Sequence, residues 1–340
     1  MKNNILLTLI ALLAFSSCEN ADWEFSDYTY STVYFSYQRP IRVLEMGEDL
    51  WDTSLDNAHK CEIYATWGGG YNTSRDVLLN IAVDNSICEG LVFDNNGNQI
   101  QAMPSNFYSL ASNTIKINKG KVSGAVEVQF TDDFFNHPNS LDLNYVIPLV
   151  ITDVTNADSI LRGVPAVENP RRAVDSDWKT KPKDYILYAV KYINKWDANY
   201  LRRGVDNMEF GGKTVTKVRH QKEILNDEVY SAASTLSLTD LQYPVTFQGA
   251  DGKNQTVNLK LTFNPETNDC VITSLSDGVT AGGSGKFVLK GEENAFAGKD
   301  RDVLYLDYTF DTGSVKCSTK DTLVVRDRGV IAEEFRIKAN

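Results

Sequence analysis

Histidine is scarce in this chain. His59, His137 and His220 are the only three in 340 residues, and none stands in a His-x-x-x-His spacing. A zinc centre therefore has no support, and no metal or cofactor is expected. Past Cys18 there are four cysteines, Cys61, Cys88, Cys270 and Cys317, without the close spacing of a zinc knuckle or a redox Cys-x-x-Cys motif. Two fall in each half, which leaves open one disulfide per half or four buried free thiols. Positive charge is also short. Lys and Arg number 34 against 45 Asp and Glu, a net charge of -11. Nucleic acid is excluded as a partner, because its binding rests on basic side chains neutralising phosphates. No long amphipathic helix and no tandem repeat is present.

The usual signatures of catalysis are missing as well. No segment carries the Asp-x-x-Asp-x-Asp-x-Glu cluster by which family-eighteen glycosidases protonate a leaving oxygen. Gly282-Gly283-Ser284-Gly285-Lys286 fails the nucleophile elbow at its last position, and Thr280 stands where a phosphate loop needs glycine. It reads as a flexible turn between strands. Asp94-Asn95-Asn96-Gly97-Asn98 lacks the downstream glutamate of a calcium loop and reads as a hairpin. No catalytic residue is assigned, and the chain is not expected to be an enzyme.

Long apolar runs are absent except at the start. Lys2 precedes the apolar run Ile5 to Leu13, broken only by Thr8, and Ser16-Ser17 leads into Cys18. Residues 1–17 read as a signal peptide ending at a lipobox, too short for a permanent span. Cys18 is the predicted lipidation site, which would leave the mature protein hanging from a membrane by acyl chains. Residues 18–30 form an acidic tether with Glu19, Asp22, Glu24 and Asp27. The tether is either a solvated linker or an address, and it resembles the signal that sends Bacteroidetes lipoproteins to the cell surface. The expected location is the outer membrane, facing outward.

The rest reads as short strands and turns, an all-β chain. Cys61, Ile63, Ala65 and Trp67 alternate with polar neighbours, Gly68-Gly69-Gly70 ends that run, and Val77 to Val83 alternates again. With Val122 to Phe130 and Tyr145 to Ile151, these predict an antiparallel β-sandwich over 31–160. Residues 161–183, with Pro165, Pro170, Pro182 and Trp178, read as a linker. Val257 to Phe263, Val303 to Phe310 and Leu323-Val324-Val325 predict a second strand-rich unit over 184–340, a sandwich or a closed barrel.

Several segments carry a resemblance. Ser54 to Cys61, Val83 to Cys88, Ala102 to Asn106, Tyr145 to Leu149 and Thr155 to Ile160 are similar to the N-terminal sandwich domain of two-domain Bacteroidetes surface lipoproteins. A like domain precedes the catalytic barrel of certain family-eighteen endo-β-N-acetylglucosaminidases. Ala189 to Asn194, Tyr200 to Gly204 and Lys320 to Gly329 resemble the calycin-like barrel domain that accompanies it. The resemblance implies a sandwich followed by a calycin-like antiparallel barrel. It also implies glycan handling beside an outer-membrane importer, and it offers no catalytic residues.

Glycan binding needs aromatic faces for sugar C–H groups and polar side chains for hydroxyls. Sixteen Tyr and five Trp are available. Trp67 and Tyr71 bracket the triple glycine near Asn72 and Arg75. Trp196 and Tyr200 follow Tyr192 near Asp197, Asn199 and Arg202. Both clusters are candidate sites, although core packing competes, most directly for Trp67, which shares the phase of Ile63. Trp51 and Phe296 are lesser candidates. Asp158-Ser159-Ile160 and Asp321-Thr322-Leu323 resemble a short acceptor pattern for O-linked glycans, making Ser159 and Thr322 candidate modification sites. The expected function is non-catalytic capture of glycan at the cell surface for a neighbouring importer or glycosidase. The alternative is an adhesin or scaffold that binds other surface proteins.

Overall fold

The computed structural model describes residues 28–249 and 251–339. The predicted signal peptide, Cys18 and the predicted tether up to residue 27 lie outside the described residues. The chain is all-β, in two units.

In the first unit, two sheets face each other. One runs in the order Ser159–Ile160, Thr32–Tyr34, Lys60–Gly68, Ser123–Phe130 and Tyr108–Leu110. The other runs Glu333–Glu334, Pro40–Glu45, Tyr185–Ile193, Tyr145–Thr155, Val77–Val83 and Thr114–Ile117. Period-two alternation makes the core: Cys61, Ile63 and Ala65 point inward to meet Leu79, Ile81, Ile147 and Leu149. Each fully buried Ile or Leu among them contributes roughly 1.5–3 kcal/mol before entropy is counted.

The second sheet is covered on both faces. On its outer side, Ile87, Leu91 and Phe93 pack with Ala173, Val174, Leu187 and Ala189. Here the predicted boundaries need correction. Tyr185–Ile193, expected to open the barrel, is a central strand of the sandwich. It pairs parallel with Pro40–Glu45 and antiparallel with Tyr145–Thr155. Its nearly continuous apolar run requires two covered faces, and only a central strand between two clusters supplies them. Residues 161–183 are likewise not a loose linker. Ala173 and Val174 are buried on the sheet, Arg172 pairs with the buried Asp184, and the Trp178 indole donates to the Arg171 carbonyl at 3.0 Å. The chain end also returns to the sandwich. Glu333–Glu334 pairs with Pro40–Glu45, Ile337–Ala339 pairs with Leu91–Phe93, and Phe335 meets Phe93 edge-on at 5.0 Å.

The second unit is one large antiparallel sheet curled around its own core. Asn199–Phe210, Lys316–Asp327, Lys299–Asp311, Thr280–Phe296, Asp269–Ser274, Asn254–Phe263 and Asp240–Gln248 follow one another as neighbours. Gly282 to Lys286 lies inside the strand Thr280–Phe296, not in a turn. Gly285 is needed there because a Cβ would stand 2.5 Å from Leu306 Cδ2.

The four cysteines past Cys18 are free and buried. Cys61 packs in the inner core and Cys88 on the far side of the second sheet, so the sheet separates them. Burial pushes the thiols of Cys61, Cys88 and Cys270 up to about 12.

Candidate functional site

A buried ion cluster sits inside the curled sheet. Asp321 is buried and accepts from Arg202 Nε at 3.2 Å and Nη2 at 2.9 Å, and from the hydroxyls of Tyr243 and Tyr308 at 2.9 Å each. Arg219 pairs with both Asp321 and Asp206. Burial opposes ionisation of Asp321, yet the two guanidinium groups hold it below the usual carboxylate range. Gly204 makes the approach feasible, since a Cβ there would lie 2.6 Å from Asp321 Oδ1. Arg202, a candidate for meeting sugar, thus has its donors directed to Asp321 and Tyr308.

The neighbouring aromatic candidates are also core residues. Trp196 is fully buried and stacks on Phe263 at 4.0 Å. Tyr200 donates to the Trp196 carbonyl, and Tyr192 donates to the Phe135 carbonyl at 2.7 Å. Asp197 accepts from the Thr235 hydroxyl and amide at 2.7 Å each, and Asn199 bonds Asp327. No ring face of Tyr192, Trp196 or Tyr200 is free for a sugar. Large apolar rings at a junction stabilise more as packing than as platforms.

The first cluster stays nearer the surface. Trp67 is half-buried against the sandwich core at the end of its strand, while Tyr71 is 65% exposed and Asn72 and Arg75 are exposed. Ser159 is half-exposed, with the adjoining Asp158 bound to Ser31. Thr322 lies mid-sheet, half-buried, beside Asp321, whose carboxylate points into the ion cluster.

A different place has the shape of a site. Where the units meet, a cleft of about 660 Å³ opens between residues 47–51 of the sandwich and the end of the curled sheet. Gly47 permits the approach: its φ is +94° and a Cβ would stand 2.6 Å from Lys195 Cβ. Asn57 and Gly47 exchange two 2.8 Å hydrogen bonds, which fix the loop. Arg328 pins the other side. Its Nε donates to the Asp197 carbonyl at 2.7 Å, and its Nη2 donates to the carbonyls of Asn194 at 2.7 Å and Met46 at 3.1 Å.

Trp51 sits on this loop, 48% exposed, and its indole N–H donates to Glu45 Oε2 at 3.1 Å. Glu45 is fully buried, 3.6 Å from Arg328. Burial, reinforced by Asp49, pushes its carboxyl up to about 7 against the pull of Arg328 and Trp51. Glu45 Oε1 and Asp49 Oδ2 are both buried without a donor when ionised. Across the cleft stand Leu289, Lys290, Asp300, Arg301, Asp302 and Arg326, with Ile331 at the rim. Arg301 lies over the Phe296 ring at 4.1 Å.

A larger concavity of about 1130 Å³ lies against the curled sheet, around Tyr305, Lys286 and Lys320. Its lysines are already matched, Lys286 to Asp269 and Lys320 to Asp307, both at 3.0 Å. The junction cleft is the stronger candidate, because it joins an anchored aromatic to polar groups that are not matched. Trp51 stands in the sequence between Asp49 and Asp52, and only the return of Arg328 brings the opposite wall to it.

Comparison with known proteins fits this division. A family model described as a domain of unknown function, DUF5627, matches residues 195–329, and a model of an N-terminal domain matches 28–158. No curated protein matches. A Bacteroides ovatus structure of unknown function is 42% identical, with TM-score 0.87, over 93% of this chain and 100% of that one. A second B. ovatus structure of unknown function is 12% identical with TM-score 0.42, over 90% of this chain and 92% of that one. A third from B. ovatus, described as a proposed carbohydrate binding protein, is 11% identical with TM-score 0.28, over 91% and 97%. At this distance the last two likenesses have no bearing on function.

Proposed function

The chain belongs to one family with the 42% identical Bacteroides ovatus protein, and from that premise we propose that it is a non-catalytic, lipid-anchored surface protein that holds glycan at the junction cleft. The observation that carries this reading is Trp51. Its indole is anchored by Glu45, so a half-exposed ring is presented at fixed orientation beside Asp300, Arg301 and Arg326. A rigid aromatic stacks on a sugar's C–H face at little entropic cost, while the polar groups take the hydroxyls. Anchoring by lipid at Cys18 would raise the local concentration of captured glycan for an outer-membrane importer or glycosidase.

Binding without turnover is favoured because the carboxyl pair beneath the Trp51 loop is sealed. The facing oxygens of Glu45 and Asp49 are buried beneath the loop and out of reach of a glycosidic oxygen. Trp67 with Tyr71, Asn72 and Arg75 is a secondary surface for the same class of ligand.

The test is a glycan-array screen of the chain from residue 19 onward, with calorimetry on hits. Trp51→Ala should abolish binding with the fold retained, the melting temperature falling only by the loss of the indole bond to Glu45. Binding that survives this change places the site elsewhere, and turnover of any glycan would end the non-catalytic reading. A second reading, an adhesin or scaffold, draws on the exposed Leu50, Leu289 and Ile331 around the cleft. A stoichiometric outer-membrane partner in pull-down, with no glycan bound, would select it.

A further inference from the structure

The balance of charge inside the junction cleft narrows the ligand class, on the premise that the cleft takes glycan at all. Five carboxylates line it, and four are already engaged. Asp49 accepts the Leu50 N–H at 2.6 Å, Asp300 the Asn294 N–H at 2.8 Å, Asp302 the Lys290 N–H at 2.7 Å and Asp327 the Gly329 N–H at 3.0 Å. Only Glu48 has no such donor among the described residues.

Of the five cations there, Lys195 and Arg328 donate to backbone carbonyls, and the other three are in the opposite condition. Neither Lys290 nor Arg301 has a carboxylate within 4.0 Å among the described residues, and Arg326 has only the loose contact with Asp327 at 3.6 Å. Arg301 Nε is buried with no acceptor, although the guanidinium is held over Phe296. Lys290 occupies a left-handed backbone position, φ +51°, at a break in register between Thr280–Phe296 and Lys299–Asp311. For a lysine that conformation is strained, and the Asp302 bond to its amide holds it. The strain turns this residue out of the sheet at the cleft wall.

We propose that the junction cleft selects an acidic glycan, one whose sugars carry carboxylate or sulfate, with Arg301 and Lys290 meeting the anion while Trp51 stacks on the ring. Arg301 offers a planar fork suited to either oxyanion, and Lys290 a point charge beside it. The backbone N–H groups orient the acids so that they keep their charge but form no direct ion pair with either cation.

Calorimetry on the chain from residue 19 onward would compare an oligogalacturonide, a chondroitin sulfate oligosaccharide and a neutral galacto-oligosaccharide. At least one acidic probe should bind ten-fold or more tightly than the neutral one, with affinity falling as salt is raised. The double change Arg301→Met and Lys290→Met should remove that advantage, weakening the acidic probes at least ten-fold more than the neutral one. Trp51→Ala should weaken both. Preference for the oligogalacturonide identifies carboxylate as the recognised group, and preference for the chondroitin sulfate probe, which carries both groups, shows that sulfate adds to it. Equal affinity for all three probes, or acidic binding untouched by the double change, overturns the inference and leaves glycan capture standing. No binding of any probe, with the variants and parent melting alike, removes both.

Discussion

Replacing Arg328 with Met should uncouple the two units. The side chain is almost fully buried and gives three hydrogen bonds of 2.7 to 3.1 Å to the carbonyls of Asp197, Asn194 and Met46. Two of those carbonyls lie where the chain leaves the sandwich, and Met46 opens the loop that carries Trp51. A buried carbonyl stripped of its donor costs about 1–3 kcal/mol, less where water can enter. Glu45, 3.6 Å away, would also lose its compensating charge. Breaking such a buried arrangement costs about 3–5 kcal/mol, and we expect about 4. Against a total stability of about 5–15 kcal/mol, that is a large loss. Differential scanning calorimetry should show one transition for the parent and two for the variant. Adding Glu45→Gln to the variant should recover part of the loss, since an amide needs no counter-charge. A loss below about 1 kcal/mol with one transition retained would refute the clamp.

Four further outcomes follow from the same contacts. Because the folded Glu45 carboxyl lies near 7, above its ordinary 4.5, its contribution is present below pH 4.5 and lost as pH rises through 7. The gap corresponds to about 3 kcal/mol, and Glu45→Gln should flatten urea-melt stability over that window. Asp321→Asn should cost about 3–5 kcal/mol by leaving Arg202 and Arg219 unpaired in the interior, seen as early melting of the curled sheet; a melt within 1 kcal/mol of the parent would contradict the network. Trp196→Ala should cost about 3–5 kcal/mol without changing glycan affinity in the folded fraction, the reverse of Trp51→Ala. Thiol titration should find Cys61, Cys88, Cys270 and Cys317 unreactive in the native state and all four reactive in denaturant; fewer would indicate disulfides.

Residues close in sequence were enough for much of this protein. The alternation of Cys61, Ile63 and Ala65, and of Val257, Leu259 and Leu261, marks all-β units with one buried face, because strand side chains repeat every two residues. Sparse histidine, unmatched motifs and acidic balance likewise depend on composition and short spacing alone. Tertiary structure decided what depends on distant partners. Tyr185–Ile193 reads as a strand, but its place between Pro40–Glu45 and Tyr145–Thr155 follows from two covering clusters far apart in the chain. Trp196 and Trp51 are both tryptophans among polar neighbours. One is sealed by Phe263, 67 positions on, and the other is left half-open by a loop pinned through Arg328. A ring's role in core or site is set by what the folded chain brings over it, and local pattern holds no record of that.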